Sequence, residues 1–122
     1  METAVEELLV DMLMKTFPCL KNEIEEELSD FNEICLHLVF GNVFNPYLLS
    51  LFDEAVNNRA ELIKAGALVE VMSNMELYVQ EVVVTTILER LTDFPDKLSE
   101  FIEFAGPMTR HFIDEMLTSY VN

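Results

Sequence analysis

Positive charge is what this sequence has least of. Seven lysines and arginines face 23 aspartates and glutamates, for a net charge of −16 at pH 7. That shortage removes whole classes of partner. Nucleic-acid binding needs clustered bases that neutralise several phosphates, and these seven are scattered along the chain. An anionic lipid surface would be repelled in the same way. Glycine is also scarce, at three residues. No glycine-rich phosphate cradle and no Gly-x-Ser-x-Gly elbow can be found. The only two cysteines are Cys19 and Cys35. Their spacing fits neither a redox pair nor a zinc knuckle, and they are expected as reduced thiols in a cytoplasmic protein. The start of the chain, Met1 to Glu7, has no basic region and no long apolar run. It therefore does not read as a signal peptide. The longest nearly uncharged stretches, residues 34–40 and 82–88, fall far short of the ~20 residues a membrane helix needs.

Apolar residues, by contrast, are plentiful. They make up 51% of the chain and include nine phenylalanines, whereas a disordered acidic tail would be poor in them. A chain of 122 residues suits one domain, spanning 1–122, that buries its own core without staples. The charge is uneven. Residues 1–33 carry ten acids and two bases, a net of −8. Such a field attracts basic surfaces, and its self-repulsion weakens the compact state at low salt.

Helical periodicity runs through the sequence. Val5, Leu8, Leu9, Met12 and Leu13 recur at the three-four spacing of one helix stripe. Thr16-Phe17-Pro18 reads as a stop and a restart, because proline suits a first helical turn. Leu20, Ile24 and Leu28 form the next stripe, with Glu23, Glu25, Glu26 and Glu27 mostly outside it. Asp30 and Glu33 have capping-box spacing for a further helix aligning Phe31, Ile34, Cys35 and Leu38. Gly41-Asn42 reads as a break and Asn45-Pro46 as a capped start. That helix is expected to run through Leu49, Phe52 and Val56. Asn58 with Glu61, and Ser73 with Glu76, offer two more capping boxes. The first precedes a stripe of Leu62, Ala65, Gly66, Val69 and Met72. The second precedes residues 79–91, the helix expected to be most buried. Leu98, Phe101, Ile102 and Ala105 follow. Gly106 reads as a C-terminal cap. Pro107 opens a last helix lined by Thr109, Phe112, Ile113, Met116, Leu117 and Tyr120.

One segment argues against itself. Val82 to Ile87 is a β-branched run with strand propensity. Helix is the better reading, since the pattern outlasts one strand and no second strand is available to pair its backbone groups. The expected fold is all-α: one compact domain of about seven short helices packed as antiparallel hairpins. The C-terminal two-thirds could stack in the manner of HEAT-like repeats, with a compact irregular bundle as the competitor.

Chemistry-bearing motifs are weak. His37 lies four residues after Glu33, and His111 four before Glu115, so each pair shares a helix face. A di-metal carboxylate bundle uses such pairs, but in so acidic a chain they arise by chance. No metal, cofactor or catalytic residue is assigned, and the chain is expected not to be an enzyme. Cys35 and His37, two apart on a helix, point to nearly opposite sides and form no local dyad. The acids Glu23, Glu25, Glu26 and Glu27 are candidates for docking a basic partner, with solvated helix faces as the bland alternative. Phe44 and Tyr47 are candidates for an aromatic anchor; the alternative is that they plug the core.

The stretch Phe40-Gly41-Asn42-Val43-Phe44-Asn45-Pro46, the helix from Tyr78 through Val79-Gln80-Glu81-Val82 to Leu91, and Gly106-Pro107-Met108-Thr109-Arg110 resemble a family of small, acidic, mostly bacterial proteins without assigned function. The resemblance covers most of residues 30–115. It implies an all-helical domain and no known chemistry. In size and charge such proteins are also similar to immunity proteins that neutralise secreted bacterial toxins, a likeness of type and not of motif. The expected function is a non-catalytic domain that binds a basic protein surface, a toxin in the most concrete version. A carboxylate-histidine metal bundle with an enzymatic role, and a purely structural module that self-associates as a homodimer, are the alternatives.

Overall fold

The computed structural model describes residues 4–29 and 33–121. These residues form seven continuous helices and no strand. Helix α1 is Val5–Thr16. Helix α2 covers 18–29, with a 3₁₀ turn Pro18–Leu20 leading into Lys21–Ser29. Helix α3 covers 36–54: Leu36–Val39, a π turn Phe40–Phe44, Asn45–Leu51 and a closing 3₁₀ turn Phe52–Glu54. Helix α4 is Arg59–Ser73. Helix α5 covers 77–91, with a π stretch Val82–Leu88 between Leu77–Glu81 and Glu89–Leu91. Helices α6 and α7 are Pro95–Ile102 and Pro107–Val121. Asp30 and Phe31, expected to help open a helix, lie outside the described residues, as does the Tyr120 side chain.

The apolar stripes meet where the periodicity puts them. Leu9 and Leu13 of α1, Ile24 of α2, Leu62 and Met72 of α4, and Phe101 of α6 are fully buried. Leu8, on the flank of the α1 stripe, stays largely exposed. Helix α5 buries Val79, Val82, Val83, Ile87, Leu88 and Leu91, six of its 15 residues; it is not the most buried helix, since α4 buries seven of 15 and α3 nine of 19. Of the two packings open from the sequence, the contacts draw a compact bundle. Helix α4 touches α1, α3, α5 and α7, and α5 touches α3, α4, α6 and α7. Short links such as residues 74–76 fold consecutive helices back on one another.

Four local expectations are corrected. Gly41-Asn42 does not break the chain; it lies inside the π turn of α3, which continues through it. Val56 is not on an inner stripe but 91% exposed, because α3 ends at Glu54. The capping residues do not cap locally: neither Asn58, Glu76 nor the start of α4 or α5 shows a side-chain cap bond. Gly106 does not adopt the left-handed conformation of a helix-ending glycine, as no described glycine has positive φ.

Helix ends are instead satisfied across the bundle. The four leading N–H groups and four trailing carbonyls of any helix need partners. The Gln80 amide of α5 donates to Ser73 O at the end of α4 (3.0 Å). Lys97 Nζ of α6 donates to Leu49 O in α3 (3.0 Å) and pairs with Asp53 (3.1 Å). Asn58 Nδ2 donates to Leu51 O (3.1 Å). The Glu70 carboxylate of α4 accepts from the first turn of α7: Met108 N (3.2 Å), Thr109 N (2.9 Å) and Thr109 Oγ1 (2.9 Å). A carboxylate at a helix N-terminus also complements the helix dipole. Burial works to raise the Glu70 pKa, but the bonds from Thr109, Asn74 and Met108 together outweigh it and hold the carboxyl below its ordinary value. Two glycines permit this junction. A Cβ on Gly66 would overlap the Phe104 backbone, and one on Gly106 would overlap the Glu70 side chain.

Candidate functional site

The two π segments, one in α3 and one in α5, pack against each other. A π turn inserts one residue and moves the hydrogen bond from four to five residues back. Accordingly the Asn45 N–H bonds to Phe40 O, and the Glu89 N–H bonds to Val84 O. In α5 this fits the β-branched run Val82 to Ile87, which crowds an ordinary helix turn at its Cβ branches. The wide turns are pinned together by side chains. Asn45 Nδ2 donates to Thr86 O (2.9 Å), and His37 Nδ1 shares a hydrogen bond with Thr86 Oγ1 (2.6 Å).

Beside this junction opens a polar cleft of about 510 Å³. Its walls comprise Gly41, Asn42 and Asn45 from α3, Thr85, Thr86, Glu89 and Arg90 from α5, and Thr92 and Asp93 beyond α5. Most donors in the wall are already committed. Thr85 Oγ1 donates to Glu81 O (2.8 Å) and Thr92 Oγ1 to Glu89 O (2.6 Å). Arg90 pairs with Asp93 (2.8 Å) and lies over the Phe94 ring at 5.1 Å. Asn42 Nδ2 donates to Glu27 Oε1 (3.1 Å), which joins the cleft rim to α2. Asn45 is 5% exposed, yet its Oδ1 has no hydrogen-bond partner among the described residues.

The acidic face of α2 adjoins this rim. Glu23, Glu25 and Glu26 are exposed and Glu27 is half-buried. Among the described residues no base pairs with any of the four, while five of the seven lysines and arginines are paired with carboxylates elsewhere. Lys21, at the start of the same helix segment, forms no ion pair with them either, so among the described residues the four carboxylates are offset only by that one nearby charge.

The aromatic candidates divide. Phe44 is fully buried, with its ring 5.6 Å from Phe40 and 6.2 Å from Phe17. It is not a surface anchor; it fills the core where the π turn of α3 directs it inward. Tyr47 is half-buried, stacks edge-on against Phe17 at 5.1 Å, and donates its hydroxyl to Glu61 (3.3 Å). Burial pushes the Tyr47 phenol well above its ordinary pKa, and neighbouring Cys19 and Glu61 push the same way. The histidines are separated. His37 serves Thr86, while His111 forms an exposed i,i+4 pair with Glu115 at 2.7 Å. Among the described residues no three His, Cys, Asp or Glu side chains stand where they could hold a metal. Cys19 and Cys35 are both free thiols. No helix of the described residues is long and apolar enough to cross a membrane.

Sequence reasoning missed the cleft. In the sequence Asn45 reads as a helix cap, Gly41-Asn42 as a break and Thr85-Thr86 as part of a β-branched run. The one available signal was local conflict: a glycine and a β-branched run, each inside an otherwise helical pattern.

Residues 10–120 match the model of a family described as Domain of unknown function (DUF7674). No curated protein and no solved structure matches the chain. The match spans most of the sequence, and the chain belongs to that family.

Proposed function

We propose that this chain, as a member of that family, is a non-catalytic binding domain of the cytoplasm whose acidic α2 face docks a basic protein surface. Neutralisation of a toxin is the most concrete form of that role. The observation that carries the reading is the bare row of carboxylates at Glu23, Glu25 and Glu26, exposed and without a cationic partner among the described residues. Exposed like charges on one short helix repel each other, and the chain already carries −16. A basic partner relieves that repulsion and is steered toward it from a distance, so complementarity speeds encounter more than it deepens affinity. Helix α2 is held from behind by Leu20 and Ile24, both buried, so the face is presented on a rigid element.

The test is affinity capture from the native host with the chain and with a Glu23→Lys/Glu25→Lys/Glu26→Lys variant. The expected partner is basic, elutes on raising the salt, and is not retained by the variant. Retention indifferent to both salt and charge reversal would remove the electrostatic reading.

A further inference from the structure

We infer that the cleft between the two π turns binds a hydrogen-bond-donating nitrogen cation, a guanidinium or a primary ammonium. The floor supplies the first reason. Asn45 is 5% exposed, its Nδ2 is spent on Thr86 O, and its Oδ1 is the buried side-chain polar atom left without a partner among the described residues. A buried acceptor with no donor is costly to leave unmade, and a ligand N–H in the cleft would satisfy it. The walls supply the second reason. The hydroxyls of Thr85 and Thr92, the Asn42 amide and the Arg90 guanidinium already donate to groups of the chain itself. The acceptors on offer are Asn45 Oδ1, the lone pairs of the threonine hydroxyls, and the Glu89 carboxylate, which makes no ion pair among those described; the main donors left are the other N–H groups of Arg90, whose charge is already balanced by Asp93. An anion would find two carboxylates and a committed arginine. A cation with several N–H donors finds complementary charge and geometry.

Gly41 supplies the third reason. Its φ is not positive, and a Cβ there would make only an ordinary contact with Thr86 Cγ2 at 3.5 Å. Neither backbone conformation nor packing calls for glycine at this helical position, where it weakens the helix relative to alanine. Its missing side chain leaves the cleft open. The volume, about 510 Å³, exceeds that of a guanidinium alone and leaves room for an aliphatic stem.

The cation can be free or be an arginine or lysine of a docked protein. In the second case the inference rests on the binding-domain reading above, since the cleft adjoins α2 through the Asn42–Glu27 bond. The experiment is an amide ¹H–¹⁵N titration of the full chain at low salt with three probes. Agmatine represents the free cation, and acetyl-Gly-Arg-Gly-amide the peptide-borne one. Tetramethylammonium carries the charge without donors. Saturable shifts at Gly41, Asn42, Thr85 and Thr86 with agmatine or the peptide, and none with tetramethylammonium, are expected. The tighter of the two identifies the source. Glu89→Gln should weaken binding about ten-fold, the loss of one charge-assisted contact. Thr85→Arg, which supplies an occupant of its own from an exposed position, should abolish it. Thermal melts of both variants establish that they fold. Equal shifts with tetramethylammonium, shifts as large on Glu23, Glu25 and Glu26 as in the cleft, or binding unaltered in both variants would overturn the inference. Loss of probe binding with salt-sensitive partner capture intact sinks the cleft alone; the reverse pattern sinks the docking face alone.

Discussion

Glu70→Gln isolates how this bundle holds its last helix. The side chain sits on α4 and accepts from Met108 N, Thr109 N and Thr109 Oγ1 at the start of α7, and from Asn74 Nδ2 just past the end of α4 at 2.9 Å. Glutamine keeps the shape but removes the charge and turns one acceptor into a donor facing N–H groups. Charge-assisted bonds are about twice as strong as neutral ones, and a carboxylate at a helix N-terminus adds ~0.3–1 kcal/mol. With one donor left unpaired, the combined cost is about 2–3 kcal/mol. For a domain of this length that lowers Tm by roughly 6–12 °C. The pH dependence gives a second, independent readout. The folded-state pKa of Glu70 is depressed from its ordinary 4.5. Its contribution is therefore complete above the unfolded pKa and is lost as pH falls through the lower folded value. Melting curves of the two proteins should be well separated at neutral pH, begin to converge as the pH falls below the ordinary carboxyl value of 4.5, and meet only below the depressed folded-state value. A separation that stays constant over that range would show that the ionised carboxylate is not what joins α4 to α7.

Two further substitutions test the packing. Gly66→Ala would drive a Cβ into the Phe104 backbone and should destabilise by about 1–3 kcal/mol; a melting point at or above that of the parent would contradict the close approach of α4 to the α6–α7 corner. Phe44→Ala should cost about 3–5 kcal/mol as a core truncation, whereas Tyr47→Phe, which loses one partly exposed bond to Glu61, should cost under ~1 kcal/mol. A Phe44→Ala protein that melts normally but fails to bind a partner would restore Phe44 to the surface role the sequence suggested.

Much of the architecture was legible because burial and helical period agree. Leu9, Leu13, Leu62, Met72 and Phe101 lie on stripes that could be read directly, and Val82, Val83, Ile87 and Leu91 of α5 are buried where its stripe puts them. Local end signals failed for one physical reason. Asn45, Asn58 and Ser73 have the right chemistry to cap a neighbouring N–H, but each found a partner elsewhere: Thr86 O, Leu51 O, and the Thr109 hydroxyl together with Val69 O. Spacing alone cannot tell a local partner from one supplied by another helix. The π turns were hidden for a related reason. One inserted residue shifts the ladder without changing the apolar pattern enough to notice, so Gly41-Asn42 reads as an ending, and Val82 to Ile87, rightly read as helix, gives no sign of its wide turn. The acidic face was legible as charge; that its carboxylates have no ion-pair partner among the described residues is a fact of placement, since Lys15, Lys64 and Arg90 bind acids on their own segments.

On the proposed function, the carboxylates of α2 select a basic partner by long-range attraction. The most direct measurement is the association rate constant of the captured partner as ionic strength rises from about 0.01 M to about 0.15 M, over which the screening length shrinks from ~30 Å to ~8 Å. A fall on the order of ten-fold or more is expected for the chain, and a clearly weaker response for Glu23→Lys/Glu25→Lys/Glu26→Lys. A rate constant that ignores salt in the unaltered chain would contradict it.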